Sequence, residues 1–244
     1  MRYNVVLFDA DETLFDYTKA EAHALTSAFQ EMKLECTPLL VDSYRRINQE
    51  LWKAFEQGSI TQQQLRTARF ERLVAEHRLS EAIDAEAFSQ AYIKYLGEGA
   101  FLIDGAAELC SQLQAGGQRM AIITNGIKEV QLSRIGRSEL CDAFECIVVS
   151  EDAGSQKPHP AIFDFTFDKL GFPDRQEVLI VGDSLTSDIA GGSRYGIDTC
   201  WYNPGRKPNH SDVQPTYEIQ RLEELVPILA GATHSQGNTS PSRA

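Results

Sequence analysis

The feature of this 244-residue sequence that most directly suggests chemistry is Asp9-Ala10-Asp11-Glu12-Thr13-Leu14, where two carboxylates follow the apolar run Val5-Val6-Leu7-Phe8. A pair of carboxylates so spaced suggests a cation loop. A calcium loop beginning at Asp9, however, requires glycine where Leu14 stands and glutamate where Ala20 stands, which excludes it. Alone, the pair could simply cap a turn or a helix. It is not alone: Thr124-Asn125-Gly126, Lys157-Pro158 and Gly182-Asp183-Ser184, with Asp188 five residues beyond Asp183, each lie beyond another short apolar run. Taken singly, Thr124 reads as a helix cap, Lys157 as a solvated cation and Asp183 as a carboxylate favoured by a helix dipole. Four polar sites at four strand exits point instead to one crevice, because open α/β sheets bind ligands at the carboxyl ends of their strands.

The elements that must position these residues are legible from periodicity. Short β-branched runs at 4–9, 119–124, 145–150, 177–182 and 198–202 are continuously apolar, as strands buried on both faces should be. Helix-length segments at about 104–115, 127–135, 159–170 and 187–195 separate the later ones, so the pattern predicts a doubly wound, Rossmann-like α/β fold with a parallel sheet. Residues 16–99 break this rhythm. They hold no β-branched run and step at helical spacing, as in Leu40, Tyr44, Ile47, Leu51 and Phe55, with a capping box at Thr61-x-x-Gln64. The predicted organisation is therefore a core of 1–15 and 100–230, an all-helical insertion of 16–99, and a small polar tail of 231–244 expected to be disordered. The linkers at Asp16–Tyr17 and Gly97–Gly99 are expected to act as hinges.

The four ordered sites resemble the motifs of the haloacid dehalogenase-like (HAD) superfamily of phosphotransferases, matched by Asp9 and Asp11, Thr124, Lys157, and Asp183 with Asp188. The resemblance covers residues 3–230, and the insertion looks like that family's type 1 cap. More narrowly, residues 9–15, Leu51-Trp52 with Phe55, Gly58, Ile60-Thr61, Leu65, Arg69-Phe70 and Ile122-Ile123-Thr124-Asn125-Gly126 resemble bacterial pyrimidine 5′-nucleotidases that hydrolyse noncanonical nucleotides. The resemblance implies strand order 5-4-1-2-3 and a Mg²⁺-dependent phosphomonoesterase acting through an aspartyl-phosphate. Asp9 is then the nucleophile and Asp11 the acid and base. Mg²⁺ is held by Asp9, Asp183 and the Asp11 main-chain carbonyl; phosphate is held by Thr124, the Asn125 backbone and Lys157. Asp188 orients Asp183 or a metal-bound water. An acid at position 11 favours phosphate esters over haloacids, whose departing halide needs no proton. Glu12 departs from the family, where glycine is commoner. The rival readings are a sugar phosphate or phosphoglycolate phosphatase of the same mechanism, and a silent binding module, disfavoured because every chemical position is filled.

Core motifs of this kind read only phosphate, metal and bridging oxygen, so substrate choice is expected to lie in the insertion. Arg69 is the candidate substrate contact, weighed against a structural pairing with an acidic neighbour. Trp52, Phe55 and Phe70 read as apolar core of the insertion, and Gly191-Gly192 as helix–strand packing rather than a phosphate loop. His159 reads as a helix start, and Pro227 interrupts a terminal helical pattern.

Composition bounds the rest. With 23 basic and 35 acidic residues the net charge is −12, which disfavours a nucleic-acid polymer or an anionic membrane as partner and leaves a small phosphate monoester met by local cations. The longest apolar runs fall far short of a membrane span and no secretory leader is evident, so a cytoplasmic location is expected. Five scattered cysteines give no disulfide framework or zinc pattern, and Cys110, Cys146 and Cys200 read as buried hydrophobes.

Overall fold

The structure is a computed structural model, and residues 2–79 and 83–231 are described. The expected tail, apart from Gly231, lies outside the described residues.

Six parallel strands form one sheet in the order β3-β2-β1-β4-β5-β6. They are β1 (Val5–Phe8), β2 (Arg119–Thr124), β3 (Cys146–Val149), β4 (Val178–Gly182), β5 (Asp198–Tyr202) and β6 (Tyr217–Ile219). This is the 5-4-1-2-3 order with one more edge strand. Three residues are too few for a periodicity signal, and β6 is recognised only through its pairing with β5.

The continuous apolar runs are explained by what lies on each face. Val6, Phe8, Met120, Ile122, Leu179 and Val181 share one core cluster with helix α5 (Ala106–Ala115). Val5, Leu7, Ala121, Ile123, Val178 and Ile180 share another with helix α8 (Pro160–Lys169). Alternate residues of β1, β2 and β4 thus serve opposite layers, which keeps their central positions apolar on both faces. Helices α6 (Lys128–Arg137), α7 (Ser150–Ala153), α9 (Ala190–Tyr195) and α10 (Leu225–Leu229) complete the layer. A wide helical turn at Leu185–Ile189 precedes α9, and α10 begins late enough for Pro227 to sit in its first turn, where a missing N–H costs little.

The glycines of α9 are packing residues, as expected. A Cβ on Gly192 would lie 2.5 Å from Ile180 Cγ2 and 2.7 Å from Thr199 Cγ2. His159 opens α8 by accepting a bond from Ala161 N at 3.2 Å. Cys110 and Cys200 are buried; Cys146 is half-buried, because β3 begins at the rim of the sheet rather than inside it.

Between β1 and α5 stand four helices, α1 (Tyr17–Glu31), α2 (Pro38–Glu56), α3 (Gln62–Glu76) and α4 (Ala85–Glu98). Their caps are written in the sequence: Asp16 accepts from Lys19 N, Thr37 from Leu40 N, and Thr61 with Gln64 forms a reciprocal box. They enclose their own cluster, in which Phe29, Tyr44, Phe70, Phe88 and Tyr92 are all fully buried, and Ile127, which caps α6, and Val130 within it join the cluster. Gly97 and Gly99 permit close approach: a Cβ at either would lie 3.1 Å from Ser133 Cβ or Ala20 Cβ respectively. Among the described residues no helix is long and apolar enough to cross a membrane.

Two glycines give opposite expectations. Gly192→Ala should destabilise the protein by about 1–3 kcal/mol through overpacking. Gly136, in α6 with open space beside it, should as alanine stabilise by about 0.4–1 kcal/mol. Urea unfolding of the two variants reads both signs.

Candidate active site

Strand register decides where the polar residues meet. Phe8 pairs laterally with Ile122 of β2 and Val181 of β4, so the residues just beyond, Asp9, Thr124 and Asp183, emerge side by side at the carboxyl edge. With Asp11, Asn125, Lys157 and Asp188 they line a cleft of about 240 Å³. The other wall comes from the inserted helices, through Tyr17, Trp52 and Glu56.

At its floor lies Lys157, 1% exposed. Its Nζ donates to Asp9 Oδ1 at 2.6 Å and to the Ile123 carbonyl at 2.6 Å, and pairs with Asp188 Oδ1 at 2.7 Å. Burial alone would lower the lysine pKa, but Asp188 and Asp9 hold it above its ordinary value and charged. All three ammonium donors are thus engaged inside the protein, so Lys157 offers a ligand its charge rather than a new bond. Asn125 pins the same loop reciprocally: its Nδ2 donates to the Lys157 carbonyl at 2.9 Å, and its Oδ1 accepts from Lys157 N at 2.8 Å. The Asn125 side chain is therefore structural, which leaves its backbone as the group the sequence assigned to phosphate. Thr124 Oγ1 accepts from Gly126 N at 3.1 Å, fixing the turn while leaving its hydroxyl proton available.

One carboxylate oxygen from each of Asp9, Asp183 and Asp188 lies within 4.8 Å of the others. Burial, outweighing the opposing pull of Lys157, pushes the Asp9 carboxyl up to about 7, with Asp188 and Asp11 adding repulsion. Burial likewise pushes Asp183 up to about 8, reinforced by Asp9 and Asp188. The cluster has more negative charge than one ammonium offsets, which is the electrostatic character of a site for a hard divalent cation. Asp188 is fully buried, accepting from Ser184 N at 3.1 Å, and it packs so closely under Gly182 that a Cβ there would lie 2.2 Å from Asp188 Oδ2. Trp201 Nε1 donates to the Asp183 carbonyl at 2.9 Å, holding this exit from the β5 side.

Asp11 behaves differently from the cluster. Its side chain turns to α6, where Gln131 Nε2 donates to Oδ2 at 2.7 Å and Arg134 donates to Oδ1. The sequence reading missed Gln131 and Arg134. A signal existed: Ile127, Val130, Gln131 and Arg134 form one stripe at helical spacing, and a polar pair within a buried apolar stripe requires a partner. Glu12, at φ 58°, lines the cleft too, and its Oε1 accepts from Thr18 N and Thr18 Oγ1, both at 2.8 Å.

Two expectations for the inserted helices need correction. Trp52 is half-buried and lines the cleft, because α2 turns Leu51 into the core and carries the next residue about 100° around to the open side. Phe55 is also half-buried, edge-on to Trp52, whereas Phe70 is core. Arg69 is 1% exposed and has no carboxylate partner within salt-bridge distance among the described residues; it donates to Asn48 Oδ1 at 3.2 Å and lies over the Tyr92 ring at 4.8 Å. Its Nε and one terminal nitrogen are unpartnered. With Asp11, Tyr17 and Trp52 it lines a second, much smaller cavity of about 20 Å³ between insertion and core.

The family profile described as haloacid dehalogenase-like hydrolase matches residues 6–202. The chain is a haloacid dehalogenase-like hydrolase. This HAD hydrolase is 42% identical to the HAD-hydrolase YfnB of Bacillus subtilis, over 93% of this chain and 96% of that protein. It is 34% identical to the pyrimidine 5′-nucleotidase PynA of Streptococcus pneumoniae (94% and 96% covered) and to the pyrimidine 5′-nucleotidase YjjG of Escherichia coli (94% and 99%). The structure of YfnB bound to magnesium resembles that of the hydrolase with a TM-score of 0.86, at 43% identity and covering 94% of this chain and 99% of that one.

The raised carboxyls of the hydrolase set a pH trend. Groups with folded pKa above the unfolded value bind protons preferentially in the folded state, so stability is present at low pH and lost as pH rises through about 7 to 8. In chelator the melting temperature should therefore fall between pH 5 and pH 8.5. A saturating divalent cation should raise it more at pH 8.5 than at pH 5, and equal increments by differential scanning fluorimetry would contradict the cluster's role.

Proposed function

We propose that this hydrolase is a Mg²⁺-dependent phosphomonoesterase acting on nucleoside 5′-monophosphates, pyrimidine nucleotides foremost. The observation that supports it most is the convergence of Asp9, Asp11, Thr124, Lys157 and Asp183 on one cleft roofed by Tyr17 and Trp52. The likeness to PynA and YjjG supports the nucleotide class. The organisation that goes with this reading is a core of 1–15 and 100–230 for the chemistry and the helices of 16–99 for substrate choice.

The donor set fits the ion: oxygen ligands only, clustered within 4.8 Å and short of positive charge. Asp9, Asp183 and the Asp11 main-chain carbonyl would hold it. When bound, Mg²⁺ supplies positive charge to the phosphate and the carboxylates around it. That matters because a carboxylate approaching one phosphate charge at 4 Å is opposed by about 4 kcal/mol at an effective dielectric of 20.

The residues then divide the work. Thr124 and the Asn125 backbone N–H orient the phosphoryl oxygens, and Lys157 opposes their charge through space. A carboxylate oxygen of Asp9 forms a bond to phosphorus as the ester P–O bond breaks, and Asp11 gives its proton to the departing alkoxide. Asp11 then takes a proton from water as that water attacks the aspartyl-phosphate, which releases inorganic phosphate and restores Asp9. Asp188 keeps Lys157 and the Ser184 turn in place. Trp52, which lines the cleft, would offer an aromatic surface to a nucleobase on the leaving alcohol.

A panel of pyrimidine and purine 5′-monophosphates, sugar phosphates and phosphoglycolate, assayed with Mg²⁺ for phosphate release, tests the assignment. Highest kcat/KM for a pyrimidine nucleotide is expected; a sugar phosphate preferred by an order of magnitude would overturn the substrate class. Asp9→Asn should abolish both turnover and labelled phosphoenzyme. For Arg69, replacement by alanine should reduce kcat/KM for nucleotides more than for a small generic phosphate ester, and a parallel loss on both would make it structural.

A further inference from the structure

Within the reading of Asp11 as proton donor and acceptor, we propose that Gln131 and Arg134 are positioning residues that clamp the Asp11 carboxyl for both proton transfers. A group that transfers a proton must reach its partner within hydrogen-bond distance, and a partly exposed aspartate on a loop has several rotamers that would not. Here each oxygen has its own fixed donor: Gln131 Nε2 on Oδ2 at 2.7 Å and the Arg134 guanidinium on Oδ1. One donor per oxygen leaves a lone-pair site on each, room for the proton given to the departing oxygen in the first step and for the proton taken from water in the second.

The clamp is itself held. Gln131 Oε1 accepts from the Arg134 terminal nitrogen at 2.8 Å and from Nε at 3.2 Å, so the amide links the guanidinium to the carboxylate. The Arg134 guanidinium lies over the Phe15 ring at 4.9 Å, and neither clamp side chain is more than 1% exposed. Among the described residues the salt-bridge partner of this buried cation is Asp11. A cation retained in so dry a place and directed at a half-exposed carboxylate does more for that carboxylate than for packing, which a neutral side chain would serve at lower cost.

The clamp also reaches the phosphate loop. Gly126, next to Asn125, lies so close to Gln131 that a Cβ on it would be 1.9 Å from Nε2. The same amide that holds Asp11 therefore sits against the turn that presents Thr124 and Asn125. The proton donor and the turn after β2 are thus braced by one helix.

The test separates positioning from folding by the leaving group. kcat/KM reports events up to formation of the aspartyl-phosphate, and there Asp11 matters only when the departing oxygen needs a proton. Arg134→Met should lower kcat/KM for a nucleoside monophosphate by about 10²-fold, and for a nitrophenyl phosphate, whose leaving group needs little protonation, by less than about 3-fold. Gln131→Met should show the same pattern at about 10-fold, and carries the test if Arg134→Met fails to fold. In an Asp11→Asn background neither substitution should cost anything further. Equal losses on both esters, no loss on either, or full additivity with Asp11→Asn would overturn the clamp. If Asp11→Asn itself showed no leaving-group selectivity, its assignment as the acid would fall as well; selectivity in Asp11→Asn without selectivity in the clamp variants would remove the clamp alone.

Discussion

All three N–H bonds of the Lys157 ammonium are engaged inside the protein, by Asp9, Asp188 and the Ile123 carbonyl. A buried cation is tolerable only where its surroundings are fixed and fully hydrogen-bonded, and a buried carboxylate only where a cation stands beside it. The two requirements are met together at the carboxyl edge of the sheet, and they constrain much of what lies nearby. Asn125 ties the lysine loop to the end of β2; Gly182 is bare because Asp188 must lie against it; Trp201 steadies Asp183 from the neighbouring strand. The surplus of negative charge that remains is what a cation-assisted phosphate chemistry requires. A site with its charges already balanced would gain little from a metal.

The inserted helices meet this edge from above, and polar bonds cross between the two parts. Arg66 of α3 pairs with Glu129 at 2.9 Å and with Glu151 at 3.3 Å, while Gln156 Nε2 donates to the Phe55 carbonyl at 2.9 Å. These contacts lie beside the cleft rather than within it. The apolar share of the contact is carried by Ile127 and Val130, on the same helix whose Gln131 and Arg134 hold Asp11. The inserted helices and the Asp11 carboxyl thus bear on one and the same stripe of this helix.

The first five strands and the residues at their exits are legible in the sequence because the physics there is local, whereas the strand order came from the family resemblance and β6 was missed. An apolar strand must stop before a polar residue, and the residues at the stops of β1, β2 and β4 become neighbours once the strands are parallel and in register. What escapes is settled by long-range contact. The face of α2 that Trp52 occupies depends on where the sheet edge lies, and periodicity gives a helix's faces without saying which one looks into a cleft. Arg69 illustrates the same limit: the sequence offers a substrate contact or an acidic neighbour for it, yet Tyr92, Phe70 and Asn48 enclose it. Asp11 was visible as a carboxylate at the right spacing, but the two residues that hydrogen-bond it lie more than a hundred positions away.

The way the four helices are joined to the core carries a consequence of its own. The chain leaves and returns through adjacent backbone: Asp16 N donates to the Phe101 carbonyl at 3.0 Å, Ile103 N to the Leu14 carbonyl at 2.9 Å, and Phe15 bridges Leu102 in antiparallel fashion. Topologically the insertion is the loop of a hairpin, and because closure entropy grows only logarithmically, each doubling of such a loop costs about 0.6 kcal/mol. A lineage carrying this hairpin can lengthen, prune or exchange everything beyond its stem without disturbing a strand register. Whatever lies beyond the stem can drift while the strand exits on its other side are inherited unchanged.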